Sequence, residues 1–369
     1  MEAVDPDTRT PSVVVLSQSA MNVVPYLSAI AEIEDVLADM LGADVVPMCP
    51  RSGRWAETLR ERQRLRRIAG RWSATRPLDF ARPARRHDVG VVVVNNLHQL
   101  GMLDSIPDWR RQADRWVAYI VEIWPSFAAE SESTLHTVAS QFDHVFTCIN
   151  WSVEPLQAAS GTPWTFLAHP VDTLAVAFHR HAHRPIDVSN RGRRTAAQHQ
   201  VLVDWCRTTD RFYEFDTGLP IITDHRVHRA HFVEQCARSK VFVSNFARFD
   251  QPELHEGHEE VGLRYVEGLA AGAILIGRHP DRAWLRHVLG DVQGLVDFAP
   301  DATEVPPALV ELLADPEACD RVHVANRRLA LERHDVAHAW TAIADLLGVP
   351  VGPGVAARIE RLRAAAEAL

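Results

Sequence analysis

Two glutamates stand eight positions apart in "HEEVGLRYVEGLAAGAILIG", residues 258 to 277. Glu259 and Glu267 flank Gly262, and a small-residue run leads on into an apolar strand. The preceding "KVFVSNF" reads as a buried strand whose carboxyl end passes into the polar loop "ARFDQPELHEGHEE". Gly262 is a natural place for the next helix to begin, and Gly272 ends it. A helix start at the carboxyl edge of a parallel sheet presents free N–H groups and the positive end of the helix dipole. That is an anion site suited to a diphosphate. Glycine at 262 lets phosphates approach the backbone closely. Glu259 would repel them, so it is expected to face something hydroxylated beyond. Glu267 lies about one and a half turns into the helix. There a ribose diol could donate hydrogen bonds to it. The bland alternative is a pair of surface acids that merely stabilise a helix N-terminus.

The elements that must position these groups alternate along the chain. "SVVVLS", "ADVVPM", "DVGVVVVNN", "RWVAYIVEIW", "DHVFTCIN" and "WTFLAHP" read as strands with helical stretches between them. A polar segment from 178 to 186 separates a second alternation. There "IDVSN", "RFYEFDT", "KVFVSNF", "AILIG" and "GLVDF" read as strands, and the end of the chain reads as helical. Continuous apolar strands alternating with helices imply parallel sheets covered on both faces. The expected fold is α/β: two Rossmann-like, doubly wound domains over 1–178 and 179–335, then helices over 336–369. Ligands of such sheets bind outside the carboxyl ends of the strands.

At this point a resemblance becomes specific. "EEVGLRYVE" followed by "GLAAGAILIG" resembles the Glu-x7-Glu motif of retaining GT-B glycosyltransferases of the family 4 type, nearest the spore-maturation-type subgroup. The resemblance implies a GT-B fold whose first domain faces the acceptor and whose second binds a nucleotide sugar. It implies that the last helices pack back toward the first domain. Glu259 inherits a place by the donor sugar, and Glu267 the nucleotide ribose. Gly262 and Leu263 fall at the helix start beside the diphosphate. "SNRGRRT" (189 to 195) resembles the glycine-arginine turn that stabilises the departing diphosphate, which implicates Arg193 and Arg194. The family's lysine about five residues later is missing, so Arg194, His199 or Arg248 is expected to supply the second charge. "HPVDT" resembles the turn that ends the first domain and makes Asp172 structural or acceptor-side. "VEIWPSF" places Glu122 near where the family often has a histidine, facing acceptor or donor sugar. "NNLHQLG" offers His98 at another strand end. The first loop, "SQSAMN", lacks the family's glycines.

Bulk properties narrow the classes. The chain has 369 residues, 47% hydrophobic and 24% charged, enough apolar material for two cores. A formal charge of -9 argues against nucleic acid as the main partner. The basic stretch 51 to 72 is a local exception and reads as a solvated amphipathic helix. Cys49, Cys148, Cys206, Cys236 and Cys319 are scattered and never in a CxxC pair. That fits buried thiols in a reducing compartment, and the cytoplasm is the expected location. No apolar run is long enough to span a bilayer. His179, His181 and His183 would share one face of a strand but have no nearby carboxylate, so no metal is assigned. His225, His228 and His231 read as a surface stripe on a helix. The ten tryptophans read as core or cleft lining.

The expected activity is transfer of a sugar from a nucleotide-diphosphate sugar to a small-molecule or glycan acceptor, with retention and without a cofactor. Two alternatives stay open. One is a sugar-nucleotide epimerase or hydrolase of the same fold, with His98 or Glu122 as acid or base. The other is a degenerate nucleotide-sugar-binding module, suggested by the missing lysine. Dinucleotide oxidoreduction is disfavoured, because no G-x-G-x-x-G follows a strand.

Overall fold

A computed structural model describes residues 10–19, 24–48, 85–106, 108–126, 132–217, 222 and 224–369. The basic stretch 51–72 and Cys49 lie outside the described residues. In the first half the elements are β1 (Val13–Ser17), α1 (Pro25–Leu41), β2 (Asp44–Pro47), β3 (His87–Val94), β4 (Ala113–Ile120), α2 (Glu132–Ala139), β5 (His144–Thr147), α3 (Val153–Ser160) and β6 (Trp164–Phe166). In the second half they are β7 (Ile186–Asn190), α4 (Ala196–Thr208), β8 (Tyr213–Phe215), α5 (His225–Ala237), β9 (Ser239–Val243), α6 (Pro252–His255), α7 (Leu263–Ala270), β10 (Ile274–Gly277), α8 (Arg282–Leu289) and β11 (Val296–Asp297). The helices α9 (Pro307–Leu313), α10 (Pro316–Arg333), α11 (Val336–Leu347) and α12 (Pro353–Glu367) follow.

The strands form two sheets, ordered β2-β1-β3-β4-β5-β6 and β11-β10-β9-β7-β8, and every described pairing is parallel. The α/β, doubly wound character expected from the sequence is therefore present. Its cause is visible residue by residue. In β1, Val13 and Val15 pack with Ile30, Ile33 and Leu37 of α1, while Val14 and Leu16 pack on the opposite face with Leu100 and Trp116. In β9, Phe242 meets Tyr265 and Leu269 of α7, while Val241 and Val243 meet Leu202 and Leu309 on the other side. Alternate side chains of a strand point to opposite faces, so both faces must be covered.

Two expectations are corrected. The apolar run "RWVAYIVEIW" does not stay in the sheet to Trp124. The strand ends at Ile120, and Ile123 and Trp124 turn back into the core. His179, His181 and His183 lie between β6 and β7, off any strand, as the linker reading has it. A 3-10 turn spans His181–His183, and His181 packs against the buried His323. The three histidines at 225, 228 and 231 lie on a helix as expected, but they are no surface stripe. His225 bonds Asp35 of α1 at 2.7 Å, and His228 is half-buried. Among the described residues no helix is long and apolar enough to cross a membrane.

The last two helices share the first core: Trp340, Val355 and Leu362 pack with Ile33 and Val13. One buried joint fixes them. Asp335, fully buried, accepts from Thr173 Oγ1 (2.7 Å), from Arg358 Nε (2.7 Å) and from Ala337 N (3.0 Å). Burial alone would raise the Asp335 carboxyl, but Arg358 outweighs it and holds the group below its ordinary value. Removing one partner of a buried pair strands the other charge. Arg358→Met is expected to cost about 3 kcal/mol in denaturant unfolding at pH 7. A carboxyl depressed in the native state contributes above its unfolded pKa of about 3.9, and loses that contribution as pH falls through the native value. The gap between wild type and variant should therefore close below about pH 4. A gap constant down to pH 2 would contradict this pairing.

Candidate functional site

The carboxyl ends of the two sheets face each other, and three contacts establish it. Glu122, just past β4, forms an ion pair with Arg248, just past β9. The Trp151 backbone N–H, just past β5, donates to Glu260 at 2.7 Å. The Trp151 ring stacks on His258 at 3.8 Å. The loop between β9 and α7 is thus pinned to the first domain. It is also closed on itself by Ala247 N donating to the Glu260 carbonyl at 2.8 Å. Arg248 holds a left-handed φ of 57°, unusual for a residue with a Cβ. Glu122 and Arg248, both expected at the site, are therefore each other's partners.

Gly262 is the N-cap of α7, with φ -84° and no side-chain cap. By contrast Thr195, Asp224 and Asp281 cap the starts of α4, α5 and α8 with their side chains. A Cβ built on Gly262 would stand 3.7 Å from Ala247 and from the Asn245 carbonyl, ordinary contact. Neither backbone strain nor packing demands glycine there. No side chain caps the N–H groups of the first turn, which begins at Leu263.

Beside it lies the glycine-arginine turn. Gly192 has φ 89° and donates its N–H to Asp216 at 2.9 Å. Asp216 also accepts from Arg194 at 3.0 Å, and Arg194 lies over the Phe215 ring. Arg193 is more exposed and bonds Asp250 at 3.0 Å and Gln251 at 3.1 Å. His199 tucks against Tyr213 and Phe215. Burial, then the charge of Arg194, pushes its pKa down, so it is neutral at pH 7 and supplies no second cation.

The acids differ in what holds them. Glu259 is half-buried and pairs with Arg278 at 2.9 Å. Glu267, expected beside a ribose, is 3% exposed and already carries two arginines. Arg229 donates to it at 2.6 Å, and Arg264 pairs with its other oxygen. Arg229 also clasps Glu32 of α1 through two bonds of 3.0 Å. A carboxylate offers roughly four acceptor positions, and the two arginine bonds do not use all of them, although both oxygens of Glu267 are buried. Burial would raise both carboxyls. For Glu267 two guanidiniums outweigh it and lower the pKa. Glu32 has one guanidinium and also faces Asp172 and Glu267, so burial prevails and its pKa is raised.

Asp172, expected on the acceptor side unless structural, is spent on structure. It pairs with Arg358 at 2.5 Å and caps the 3-10 turn at Thr173–Ala175. His98 falls within the 3-10 helix Leu97–Ser105 after β3, and its side chain lies outside the described residues. A cavity of about 400 Å³ opens between α1 and α5, lined by Glu32, Asp35, Asp172, His225, Arg229 and Arg358. Those six groups pair among themselves, and Arg229 also reaches Glu267 of α7.

Sequence reasoning missed Arg229, Arg264 and Glu260. The three-residue spacing of Arg264 and Glu267 was a readable signal. The link from Arg229 to Glu32, 197 positions away, had none. Arg229→Met would leave the buried Glu32 without a cation and Glu267 with Arg264 alone. The expected cost in chemical denaturation is about 3–5 kcal/mol. Adding Glu32→Met should restore part of it rather than add to it. Full additivity would show that the clasp is not the coupling.

No family model matches the chain, and no curated protein matches it. Among solved structures, HepE of Anabaena, in complex with UDP and glucose, is similar over 92% of this chain and 99% of its own, at 12% identity and a TM-score of 0.49. AviGT4, a glycosyltransferase involved in avilamycin A biosynthesis, is similar over 91% of this chain and 97% of its own, at 12% identity and a TM-score of 0.45.

Proposed function

We propose that the chain is a glycosyltransferase that moves a sugar from a nucleotide-diphosphate donor to an acceptor, with retention at the anomeric carbon. The observation that carries this reading is the helix start at Gly262, which no side chain caps, set between an arginine turn and two acids. The diphosphate lies on the first-turn N–H groups of α7, and Arg193 leaves Asp250 to meet it. As the sugar–oxygen bond breaks, negative charge grows on the leaving diphosphate. Donors already aimed at that charge need no reorganisation. Glu259 stands by the sugar and Glu267 by the ribose. Glu122, at the end of β4, faces the sugar from the acceptor side. The charge on the diphosphate is met by the helix start and the arginines, so the reading calls for no cofactor, and chelation by EDTA should leave the rate unchanged.

The test is release of nucleoside diphosphate from a panel of nucleotide sugars. Arg193→Ala and Glu259→Gln should each lower turnover by about 100-fold. Gly262→Ala should keep its fold within about 1 kcal/mol, since a cap glycine replaced by alanine costs little more. The same variant should bind nucleoside diphosphate at least tenfold more weakly. Turnover unchanged in Arg193→Ala combined with Glu259→Gln would end this assignment. Tight donor binding with no turnover on a broad acceptor panel would favour a binding module instead.

A further inference from the structure

A diphosphate with the helix start and Arg193 alone is short of one positive group, and the sequence lacks a lysine at the turn. Of the cations around the turn, Arg191 is largely buried and pairs with Glu214 at 2.6 Å. Arg194 is committed to Asp216 by its side chain and backbone, at 3.0 and 2.7 Å. His199 is neutral against Tyr213. Arg248 spans the cleft to Glu122 and also holds Gln251 at 2.7 Å. Arg278 serves Glu259.

Arg264 remains. It is the second residue of α7, so it belongs to the helix start itself. Its guanidinium lies against the turn: Nη2 and Nε would stand 3.4 and 3.6 Å from a Cβ placed on Gly192. The side chain is held over the Phe232 ring at 4.9 Å and by Glu267 through Nη1. Its orientation is thus set before any ligand arrives. About a third of the side chain stays exposed, and Glu267 takes one of five N–H donors. A planar guanidinium with free donors suits bidentate contact with phosphate.

We infer that Arg264 is the second phosphate-binding cation, reaching the turn from the helix start, and that it bridges the diphosphate to Glu267. This assignment rests on the donor reading above. It places one guanidinium between the acid by the ribose and the arginine turn, so diphosphate and nucleoside are gripped by one connected unit.

Calorimetry with UDP, GDP and ADP, each beside its own nucleoside, tests it. For the diphosphate that wild type binds, Arg264→Ala should weaken binding at least tenfold, and Arg264→Lys should recover part of it. Nucleoside affinity should stay within threefold of wild type. Thermal melting of both variants controls for folding, and Arg264→Lys keeps the charge beside Glu267. Unchanged diphosphate affinity in Arg264→Ala overturns the assignment. So does equal loss of diphosphate and nucleoside, which would make Arg264 only a support for Glu267. If wild type binds none of the three diphosphates while its fold is intact, the donor reading falls and this assignment with it.

Discussion

One guanidinium joins the two halves of this molecule where neither water nor salt can substitute for it. Arg229 leaves solvent to stand between Glu32 of α1 and Glu267 of α7. Moving an ion out of water costs several kcal/mol, and only close, well-directed partners offset it. Arg229 has them on both sides, so it is stable only while both helices keep their places. The contact therefore acts on geometry more than on stability. It fixes how α1 sits on α5, and so how the first sheet is aimed at the second. Asp35 reinforces the same seam through His225 and Arg226, at 2.7 Å each.

The consequence for the site is directional. With the seam fixed on one side, the carboxyl ends of β4 and β5 are brought over the loop after β9. Three contacts then hold that loop: Glu122 with Arg248, Glu260 with the Trp151 amide, and Trp151 with His258. Glu260 is itself buried, and burial raises its carboxyl above the ordinary range despite the donated N–H of Trp151. It sits next to Glu259 in the chain. The position of the acid assigned to the sugar is therefore set by its neighbour's grip on the other domain.

The sequence made much of this legible, and the physical reason is locality. Val13–Leu16 of β1 and Val91–Val94 of β3 are unbroken apolar runs, and such a run is a property of a few adjacent residues. The helix start at Gly262 is legible because strand, polar loop, glycine and small-residue helix follow in order. The turn at Gly192 is legible because only a few residue types tolerate its backbone. What could not be read is pairing over distance. No rule of spacing joins Arg229 to Glu32 or Arg358 to Asp172, and both pairs changed what a predicted site residue does. Burial misled in the same way. His199 looks like a cation in the sequence, but burial against Tyr213 and Phe215, then the charge of Arg194, lowers its pKa. The end of β4 was misplaced because Ile123 and Trp124 are as apolar as the strand before them. Their burial is in the core beneath the sheet, not in it.

In the proposed reading Glu267 serves a nucleotide while tied to two arginines, and the same pairing bears on how it could. Its low pKa keeps it ionised, and an ionised carboxylate accepts more hydrogen bonds than two guanidiniums supply. A neutral acid there would have to give up one acceptor position to its own proton. The arginines thus hold the acid in the form that a diol needs, at the cost of part of its field. Taken together, Glu32, Arg229, Glu267 and Arg264 are two acids and two bases, a neutral group. It can border a diphosphate without the net repulsion that a lone glutamate would exert. In the proposed reading this resolves the tension in the motif itself: an acid can stand beside phosphates when its charge is already balanced by residues that also face them.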